Sequence, residues 1–342
     1  MPPAPSRAAA ERFCRGILPE VSRTFALSIR VLPGDLRRAV LAAYLLCRIA
    51  DTVEDEPVLA AAEKAELLDL LLAAFADPAA RAAFVARAGA LAGQPAHVRL
   101  ARHAGDVFAL HDAVPAASRR RVEHWVREMV VGMRKFVLLY PRGIRIQTVE
   151  EYREYCYYVA GTVGFMLTDL WREHAPSIGA ATYEVLRARA WEFGEALQTV
   201  NILKDVAQDA EHENSIYIPE HALRAQGSSH ATILAAELRQ ENHAVIRQMV
   251  EGAWTNLAHA LEYLLLIPRR AVAIRVFCAL PLLFAYATLR ELTRSTAMLT
   301  PGGTVKITRR EVKALLVAGP LAVLSNRATR WLVRRVTARA FA

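Results

Sequence analysis

The amino-acid sequence predicts an all-α protein, and three observations support that fold class. Apolar residues recur at helical spacing along almost the whole chain. Alanine and leucine are abundant while runs of β-branched residues are few, a composition that favours helices. With 54% hydrophobic and 23% charged residues over 342 positions, the chain can bury a large core. We predict a single α-helical bundle that spans residues 1–342.

The predicted helices are separated by chain breakers. Prolines lie between them at Pro141, Pro176, Pro219, Pro268 and Pro301. Helices are predicted at 36–53, 61–76, 119–140, 149–170, 183–209, 237–266, 269–293 and 311–340. Gly161 and Gly164 should interrupt the helix at 149–170. Residues 1–12, rich in proline and alanine, are predicted to form a flexible tail, and residues 304–307 a short extended piece.

The chain is basic, with a formal net charge of +9 and a sequence pI near 9.6. Such a charge suits a polyanionic small substrate, an anionic lipid surface or nucleic acid. The basic residues are not interleaved with aromatic ones as on nucleic-acid-binding surfaces, so we expect no nucleic-acid partner. Near the C-terminus, five arginines recur at roughly helical spacing: Arg327, Arg330, Arg334, Arg335 and Arg339. The basic amphipathic helix at 311–340 is either a solvated face or, because Trp331 lies among these arginines, a peripheral contact with a membrane.

The sequence predicts a cytoplasmic monomer without a signal peptide or transmembrane anchor. Residues 1–10 contain no apolar segment of the kind that signal peptides need. The apolar stretch at 271–289 carries Arg275 and Pro281, and the stretch at 314–324 has about half the length of a membrane span. The cysteines are far apart and form no CxxC pair, so we expect buried thiols and no zinc site or disulfide. They are Cys14, Cys47, Cys156 and Cys278.

A first row of carboxylates ends the predicted helix at 36–53. Asp51, Glu54 and Asp55 are spaced i, i+3 and i+4, so they lie on one side of a helix. Carboxylates crowded at a helix C-terminus repel one another, and the helix dipole adds to the repulsion. Mg²⁺ would relieve it, because this hard cation takes oxygen ligands and bridges to phosphates. Arg48, one turn earlier, adds a positive charge.

A second polar row follows the predicted helix at 183–209. Asp205 and Asp209 are spaced i, i+4, Asn201 and Gln198 extend the row backwards, and Lys204 supplies the basic residue. A polar row on an otherwise apolar helix must face solvent, a cavity or ions. A solvated face explains one such row, but two rows with the same composition favour binding of metal and diphosphate. We predict that they meet across a cavity, where about two to three Mg²⁺ clamp diphosphates. The candidate metal ligands are Asp51, Glu54, Asp55, Asp205 and Asp209.

Four segments resemble the squalene and phytoene synthase family. They are VSRTFA at 21–26, YLLCRIADTVED at 44–55, YCYYVAGTVG at 155–164, and NILKDVAQD at 201–209 followed by YIP at 217–219. The likeness runs from about residue 15 to residue 310. It implies an isoprenoid synthase fold, in which a helical bundle surrounds a central cavity.

The resemblance also implies roles for individual residues. Tyr155 aligns with a family tyrosine proposed to assist proton removal during cyclopropane closure, and Tyr44 aligns with a second pocket tyrosine. Together with Asp51, Asp55, Asp205 and Asp209 they form the expected catalytic set. The expected diphosphate-binding residues are Ser22, Arg23, Thr24, Arg48, Gln198, Asn201 and Lys204. The expected prenyl pocket comprises Phe25, Val159, Gly161, Gly164, Phe277 and Pro281. For the two glycines, close helix packing is an equally good interpretation.

The C-terminal third resembles the squalene-forming members of the family more than the phytoene-forming ones. The similarity lies in the helix around Phe277 and in the basic segment that follows it. In those members this segment lies near the NADPH phosphates, so Lys306, Arg309 and Arg310 are candidate cofactor contacts. A solvated basic turn is the alternative. No GxGxxG motif follows a strand, so NADPH would bind a groove of the helical fold and not a Rossmann domain.

The resemblance implies an enzyme that joins two molecules of farnesyl diphosphate head to head. Presqualene diphosphate would be the intermediate, and reduction by NADPH would give squalene, a membrane-soluble product. Two alternatives stay open. A phytoene or dehydrosqualene synthase would perform the condensation without reduction, and a catalytically silent assembly factor would keep only the fold. The intact set of four aspartates argues against a silent protein.

Overall fold

The computed structural model describes residues 6–341, apart from the side chain of Arg23. The all-α prediction is confirmed: regular structure in this part of the chain is helical, and its only β-type pairing is an isolated bridge between Arg145 and Ile216. The chain divides into two compact units, residues 1–142 and residues 143–342, which are described in turn. The single-domain organisation stays a prediction.

The first unit contains eight α-helices. They are α1 (Arg7–Val21), α2 (Arg23–Arg30), α3 (Gly34–Glu54), α4 (Ala61–Ala73), α5 (Pro78–Arg87), α6 (Pro95–Arg102), α7 (Ala104–Asp112) and α8 (Ala116–Leu139). Helix α3 is central, because it packs against α1, α4, α6, α7 and α8. Most of its residues are buried, so its partly exposed polar positions stand out as candidates for function.

The N-terminal helix corrects one expectation. Residues 7–12, predicted to belong to a flexible tail, form the first turns of α1, while residues 1–5 lie outside the described part. Ser6 caps this helix, since its side chain accepts a hydrogen bond from the N–H of Ala9 at 3.3 Å. Ala10, Cys14 and Ile17 are buried at helical spacing and hold the helix against the unit.

The second unit contains nine α-helices. They are α9 (Val149–Cys156), α10 (Thr162–His174), α11 (Ala180–Ala188), α12 (Ala190–His212), α13 (Glu220–Ala225), α14 (Arg239–Leu266), α15 (Val272–Leu292), α16 (Arg309–Ala322) and α17 (Asn326–Ala338). Helix α12 is central here and packs against α9, α10, α11, α14 and α15. It carries the second polar row, so the packing of α12 fixes the position of that row within the second unit.

The predicted interruption of the helix at 149–170 is present as a π-helix at Tyr157–Gly161. The neighbouring glycines permit close contact with α12. A Cβ at Gly164 would lie 2.0 Å from the carbonyl oxygen of Ala190, and one at Gly194 would lie 2.2 Å from that of Ala160. No side chain fits at either distance. Of the two interpretations for Gly164, the contact with Ala190 therefore favours close packing.

The C-terminal region also differs from its prediction. The expected helix at 311–340 is two helices, α16 and α17, because Ser325 begins a new helix by accepting from the N–H of Ala328 at 3.5 Å. A buried ion pair joins them to α15: two nitrogens of Arg290 donate to the carboxylate of Glu311 at 2.9 and 2.8 Å. Arg290 also donates to the carbonyl of Val336 on α17 at 2.6 Å. One arginine thus connects three helices.

Helix α15 is the one described helix with the length and hydropathy of a membrane span, with a mean hydropathy of 2.0. In its most apolar stretch, 83% of the residues are buried within the protein. Buried core helices of soluble proteins have the same length and hydropathy. The four cysteines are free and buried, as predicted. Burial raises the pKa of the Cys14 thiol to about 12, so it is protonated at neutral pH.

We predict that Gly164→Ala lowers the free energy of unfolding by at least about 2 kcal/mol, because the new methyl group must displace the backbone at Ala190. Urea unfolding followed by circular dichroism measures this. Gly252→Ala is the matched control: it lies in α14 with open space around its Cβ, so it should gain about 0.5–1 kcal/mol. Equal stability of Gly164→Ala and the wild-type chain would contradict the close-packing argument.

Candidate active site

The first carboxylate row lies at the C-terminal end of α3. Asp51 and Asp55 are partly exposed, whereas the side chain of Glu54 is buried. Arg48 forms an ion pair with Asp51, with 3.3 Å between Nη1 and Oδ2. Desolvation raises the pKa of Asp51, and the charge of Arg48 opposes this shift. Asp51 is thus a carboxylate that a second cation would stabilise further.

Arg48 links this row to the C-terminal end of α1. It donates to the hydroxyl of Tyr44 at 3.3 Å, and that hydroxyl donates to the backbone carbonyl of Val21 at 3.4 Å. Burial lowers the pKa of Arg48, but Tyr44 and Asp51 more than compensate and raise it, so the guanidinium stays charged. Tyr44, Arg48 and Asp51 belong to one sequence motif, and the structure joins that motif to the segment at 21–26 through the carbonyl of Val21.

The predicted diphosphate-binding segment lies at the same place. Ser22 caps α2, its hydroxyl accepting from the N–H of Phe25 at 3.1 Å, and the ring of Phe25 lies 5.5 Å from that of Tyr44. Thr24 is partly exposed beside them, and the side chain of Arg23 lies outside the described part. The structure thus places Phe25 against Tyr44, while the roles of these residues in binding diphosphate or a prenyl chain stay predictions.

His97 on α6 is a neighbour that the sequence did not indicate. Burial and the charge of Arg48 lower its pKa to about 4, so the imidazole is neutral at physiological pH. No motif includes it, and only the packing of α6 on α3 reveals that it lies near Arg48.

The second row lies along α12, as predicted. Gln198, Lys204, Asp205 and Asp209 are partly exposed and Asn201 is exposed. The apolar residues between them are buried: Val200, Ile202, Leu203 and Val206. The helix therefore presents a polar face with an amide and two carboxylates in line. That the two rows meet across one cavity stays a prediction.

The carboxylate of Asp205 has two side-chain partners, Lys204 and Thr304, and the sequence did not predict the contact with Thr304. Its Oδ2 pairs with the ammonium group of Lys204, and its Oδ1 accepts from the hydroxyl of Thr304 at 2.8 Å. We call residues 300–308 the strap. The strap also donates from the N–H of Val305 to the carbonyl of Lys204 at 3.1 Å, and from the N–H of Gly302 to Glu211 Oε2 at 2.8 Å.

The strap accounts for the piece that was predicted to be extended. Residues 304–307 form no strand but follow α12 through these hydrogen bonds. Gly303 makes its path feasible, because a Cβ there would lie 1.9 Å from the carbonyl oxygen of Ala297. Thr308 ends the strap by capping α16, with its hydroxyl accepting from the N–H of Glu311 at 3.1 Å. Lys306, Arg309 and Arg310 are exposed, and the strap fixes this basic segment to the second row.

The remaining predicted site residues lie in the interior of the second unit or at its edge. Tyr155 is buried and stacks on Tyr217, with 4.9 Å between ring centroids. Phe277 is buried against Trp171 at 5.2 Å, and Pro281 is buried one turn further along α15. Val159 is partly exposed in the π-helix, while Gly161 is buried. Phe277 thus takes part in core packing, in addition to any contact with a prenyl chain.

The donor groups suit magnesium. No group of three His, Cys, Asp or Glu side chains within residues 6–341 has the geometry of a preformed metal site. Mg²⁺ usually keeps several waters and takes only one or two carboxylates together with substrate phosphates. Each row supplies two carboxylates: Asp51 and Asp55 on α3, and Asp205 and Asp209 on α12. The buried side chain of Glu54 makes it the weakest of the five predicted ligands.

The family model described as "Squalene/phytoene synthase" matches residues 18–311, a range that holds both carboxylate rows and the strap. Among curated proteins, Squalene synthase 1 of Arabidopsis thaliana is 26% identical over 303 residues, which cover 86% of this chain and 70% of that protein. Squalene synthase BSS of Botryococcus braunii is 30% identical over 305 residues, which cover 87% of this chain and 62% of that protein.

Solved structures show the same fold. The complex of TcSQS with the ligand BPH1237 has a TM-score of 0.83 at 23% identity, covering 97% of this chain and 91% of that one. A dehydrosqualene synthase in complex with a ligand has a TM-score of 0.57 at 20% identity, covering 97% of this chain and 96% of that one. The family match spans most of the sequence. It includes the segments that form the Arg48–Tyr44 hydrogen bond and the Thr304–Asp205 hydrogen bond. The chain belongs to the squalene/phytoene synthase family.

Proposed function

We propose that this chain is a squalene synthase, which condenses two molecules of farnesyl diphosphate through presqualene diphosphate and reduces the product with NADPH. One observation carries the choice within the family. The basic segment that resembles the squalene-forming members is tied to the second carboxylate row through Thr304 and Asp205. A hydride donor held at this segment would lie beside the carboxylates that hold the departing diphosphate, which supports reduction at the same site.

The carboxylate rows would hold magnesium diphosphates. The proposed ligands are Asp51, Asp55, Asp205 and Asp209. The Mg²⁺ ions would stabilise the negative charge that develops on the leaving diphosphate. Arg48 stays charged next to Asp51, so it can donate to a diphosphate oxygen without a change of protonation. Lys204 pairs with Asp205, and turning its ammonium group from that carboxylate towards the substrate would release an oxygen for the metal.

Other residues would bind and shield the substrate. Ser22 and Thr24 at the start of α2 lie in the segment expected to contact diphosphate, and the Tyr44 ring beside Phe25 would line the prenyl chain. Gln198 and Asn201 extend the polar face of α12 and would donate hydrogen bonds to phosphate oxygens. A carbocation needs water excluded, and Tyr155 is buried with its ring stacked on that of Tyr217. We propose that Tyr155 assists proton removal during cyclopropane closure.

Lys306, Arg309 and Arg310 would bind the cofactor phosphates. Their side chains are exposed cations, which suits an anionic dinucleotide, and NADPH would supply the hydride for the second half of the reaction.

We expect squalene from farnesyl diphosphate and Mg²⁺ only when NADPH is added. Gas chromatography with mass spectrometry identifies the product. Dehydrosqualene in both the presence and the absence of NADPH would replace the proposal with a non-reducing synthase. Product only from geranylgeranyl diphosphate would indicate a phytoene synthase, and no product from either substrate would support a silent relative.

We predict that Asp51→Asn and Asp205→Asn each lower kcat by about a hundredfold or more, because each removes one charge that holds the metal. Steady-state rates at several Mg²⁺ concentrations measure this, and the half-saturating Mg²⁺ concentration should rise. Glu237→Gln is the control, since it removes the same charge from an exposed position outside both rows. Unchanged rates in both aspartate variants would contradict their assignment as ligands.

We predict that Thr304→Val uncouples the two half-reactions. Valine has nearly the same shape but cannot donate to Asp205, so the basic segment loses one attachment to the second row. Consumption of farnesyl diphosphate should persist, while the ratio of presqualene diphosphate to squalene should rise by at least about fivefold. Thr300→Val tests the same change at an exposed strap position. An unchanged product ratio in Thr304→Val would argue against a role of the strap in reduction.

A further inference from the structure

Two turns of the second unit are held side by side by one buried arginine. Arg275 is fully buried and donates to the carbonyls of Leu264 and Ile267, at 3.1 and 2.5 Å, next to the turn between α14 and α15. It also donates to the carbonyl of Val323 at 2.8 Å, in the turn between α16 and α17.

Asn326 completes this connection. It accepts from Arg275 at 2.8 Å and donates to the carbonyl of Leu265 at 3.2 Å. The two turns, residues 266–272 and 321–327, therefore form one rigid surface, which we call the two-turn face.

Apolar side chains of both turns point away from the protein. Leu266 and Val272 are exposed in the first turn, and Leu321 and Leu324 are 67% and 54% exposed in the second. Two more follow on the adjoining helices, Val317 on α16 and Trp331 on α17. Single exposed apolar residues are common on protein surfaces, but a group of four on two linked turns indicates an interaction site.

The charged residues of the two turns are arginines, and the exposed Glu262, one turn before Leu266 on α14, pairs with Arg189 at 3.3 Å. Arg269, Arg270 and Arg327 are exposed in the two turns, and Arg330 and Arg334 lie on the exposed side of α17 beside Trp331. The sequence contains no aspartate or glutamate from residue 263 to 290 or from residue 312 to 342. The two-turn face thus combines exposed aliphatic residues with arginines and has no acidic residue of its own.

We propose that the two-turn face docks this chain onto the surface of an anionic phospholipid bilayer. Leu266, Val272, Leu321 and Leu324 would enter the boundary between headgroups and acyl chains, with the arginines paired to lipid phosphates and Trp331 at the headgroup level. Helix α15 stays buried in the protein, so this contact is peripheral.

Charge and hydrophobicity together favour a lipid surface over nucleic acid or a second copy of this chain. Nucleic acid would satisfy the arginines but would leave four aliphatic side chains in water. A second copy of the same face would bring arginines against arginines, which opposes symmetric self-association. An anionic bilayer satisfies both features at once. The proposal depends only on this surface, so it stands or falls independently of the reaction that the chain catalyses.

Vesicle flotation with the full chain tests the proposal. We expect binding to vesicles of phosphatidylcholine with phosphatidylglycerol, and at least about tenfold weaker partitioning to phosphatidylcholine alone. The double variant Leu321→Ser/Leu324→Ser and the triple variant Arg269→Gln/Arg270→Gln/Arg327→Gln should each weaken partitioning by about tenfold or more. Brominated lipids should quench the fluorescence of the wild-type chain, and Trp331→Phe should lose most of that quenching.

Matched controls change the same residue types elsewhere. Val58→Ser/Val185→Ser alters two exposed aliphatic residues outside the face, and Arg12→Gln/Arg120→Gln/Arg247→Gln removes three exposed arginines. Both should partition like the wild-type chain, and circular dichroism should show that all variants are folded.

Three outcomes would overturn the proposal. They are no binding to anionic vesicles, equal loss in face and control variants, and retention of binding in the Leu321→Ser/Leu324→Ser variant. The last would indicate non-specific adsorption by charge. Light scattering supplies a further check: a dimer that dissociates in this variant, without vesicle binding, would assign the face to self-association.

Discussion

Like charges along one face of a helix are the physical constraint that both carboxylate rows share. On α3, Asp51 and Asp55 share a face. Asp51 forms an ion pair with Arg48, which also donates a hydrogen bond to Tyr44. On α12, Asp205 and Asp209 share a face. Asp205 pairs with Lys204 and accepts a hydrogen bond from the hydroxyl of Thr304. Each pair of aspartates therefore lies next to one basic side chain, and the proposed Mg²⁺ ions would add further positive charge there.

The position of α12 depends on packing that leaves no room for side chains. Gly164 and Gly194 let its backbone approach α10 and the π-helix to within contact distance. The π-helix at Tyr157–Gly161 lies between α9, which carries Tyr155, and α10. Both α9 and the π-helix pack against α12, and Tyr155 stacks on Tyr217. The helix that carries the second row is therefore also the one that is packed most closely by glycines in this unit.

Arginines serve two distinct purposes in the second unit. Arg275 and Arg290 are buried and satisfied, the first by backbone carbonyls and Asn326, the second by Glu311 and Val336. They connect the C-terminal helices to α15 and do not contribute to the charge that a partner meets. The arginines at 269, 270, 327, 330 and 334 are exposed, and they carry the basic character of the two-turn face. The net charge of the sequence does not distinguish these two groups, whereas burial does.

The sequence alone determined the helical fold class, the two polar rows and their donor atoms, because helical periodicity and i, i+4 spacing are local properties. It also indicated the family, because Tyr44 to Asp55 and Asn201 to Asp209 are contiguous motifs. Tertiary structure decided what lies next to those motifs: His97 beside Arg48, Thr304 on Asp205, and Arg275 between two turns. It also split the predicted C-terminal helix at Ser325 and extended α1 back to Arg7. These contacts join residues up to 99 positions apart, and no local pattern encodes them, because they arise only when separate helices pack together.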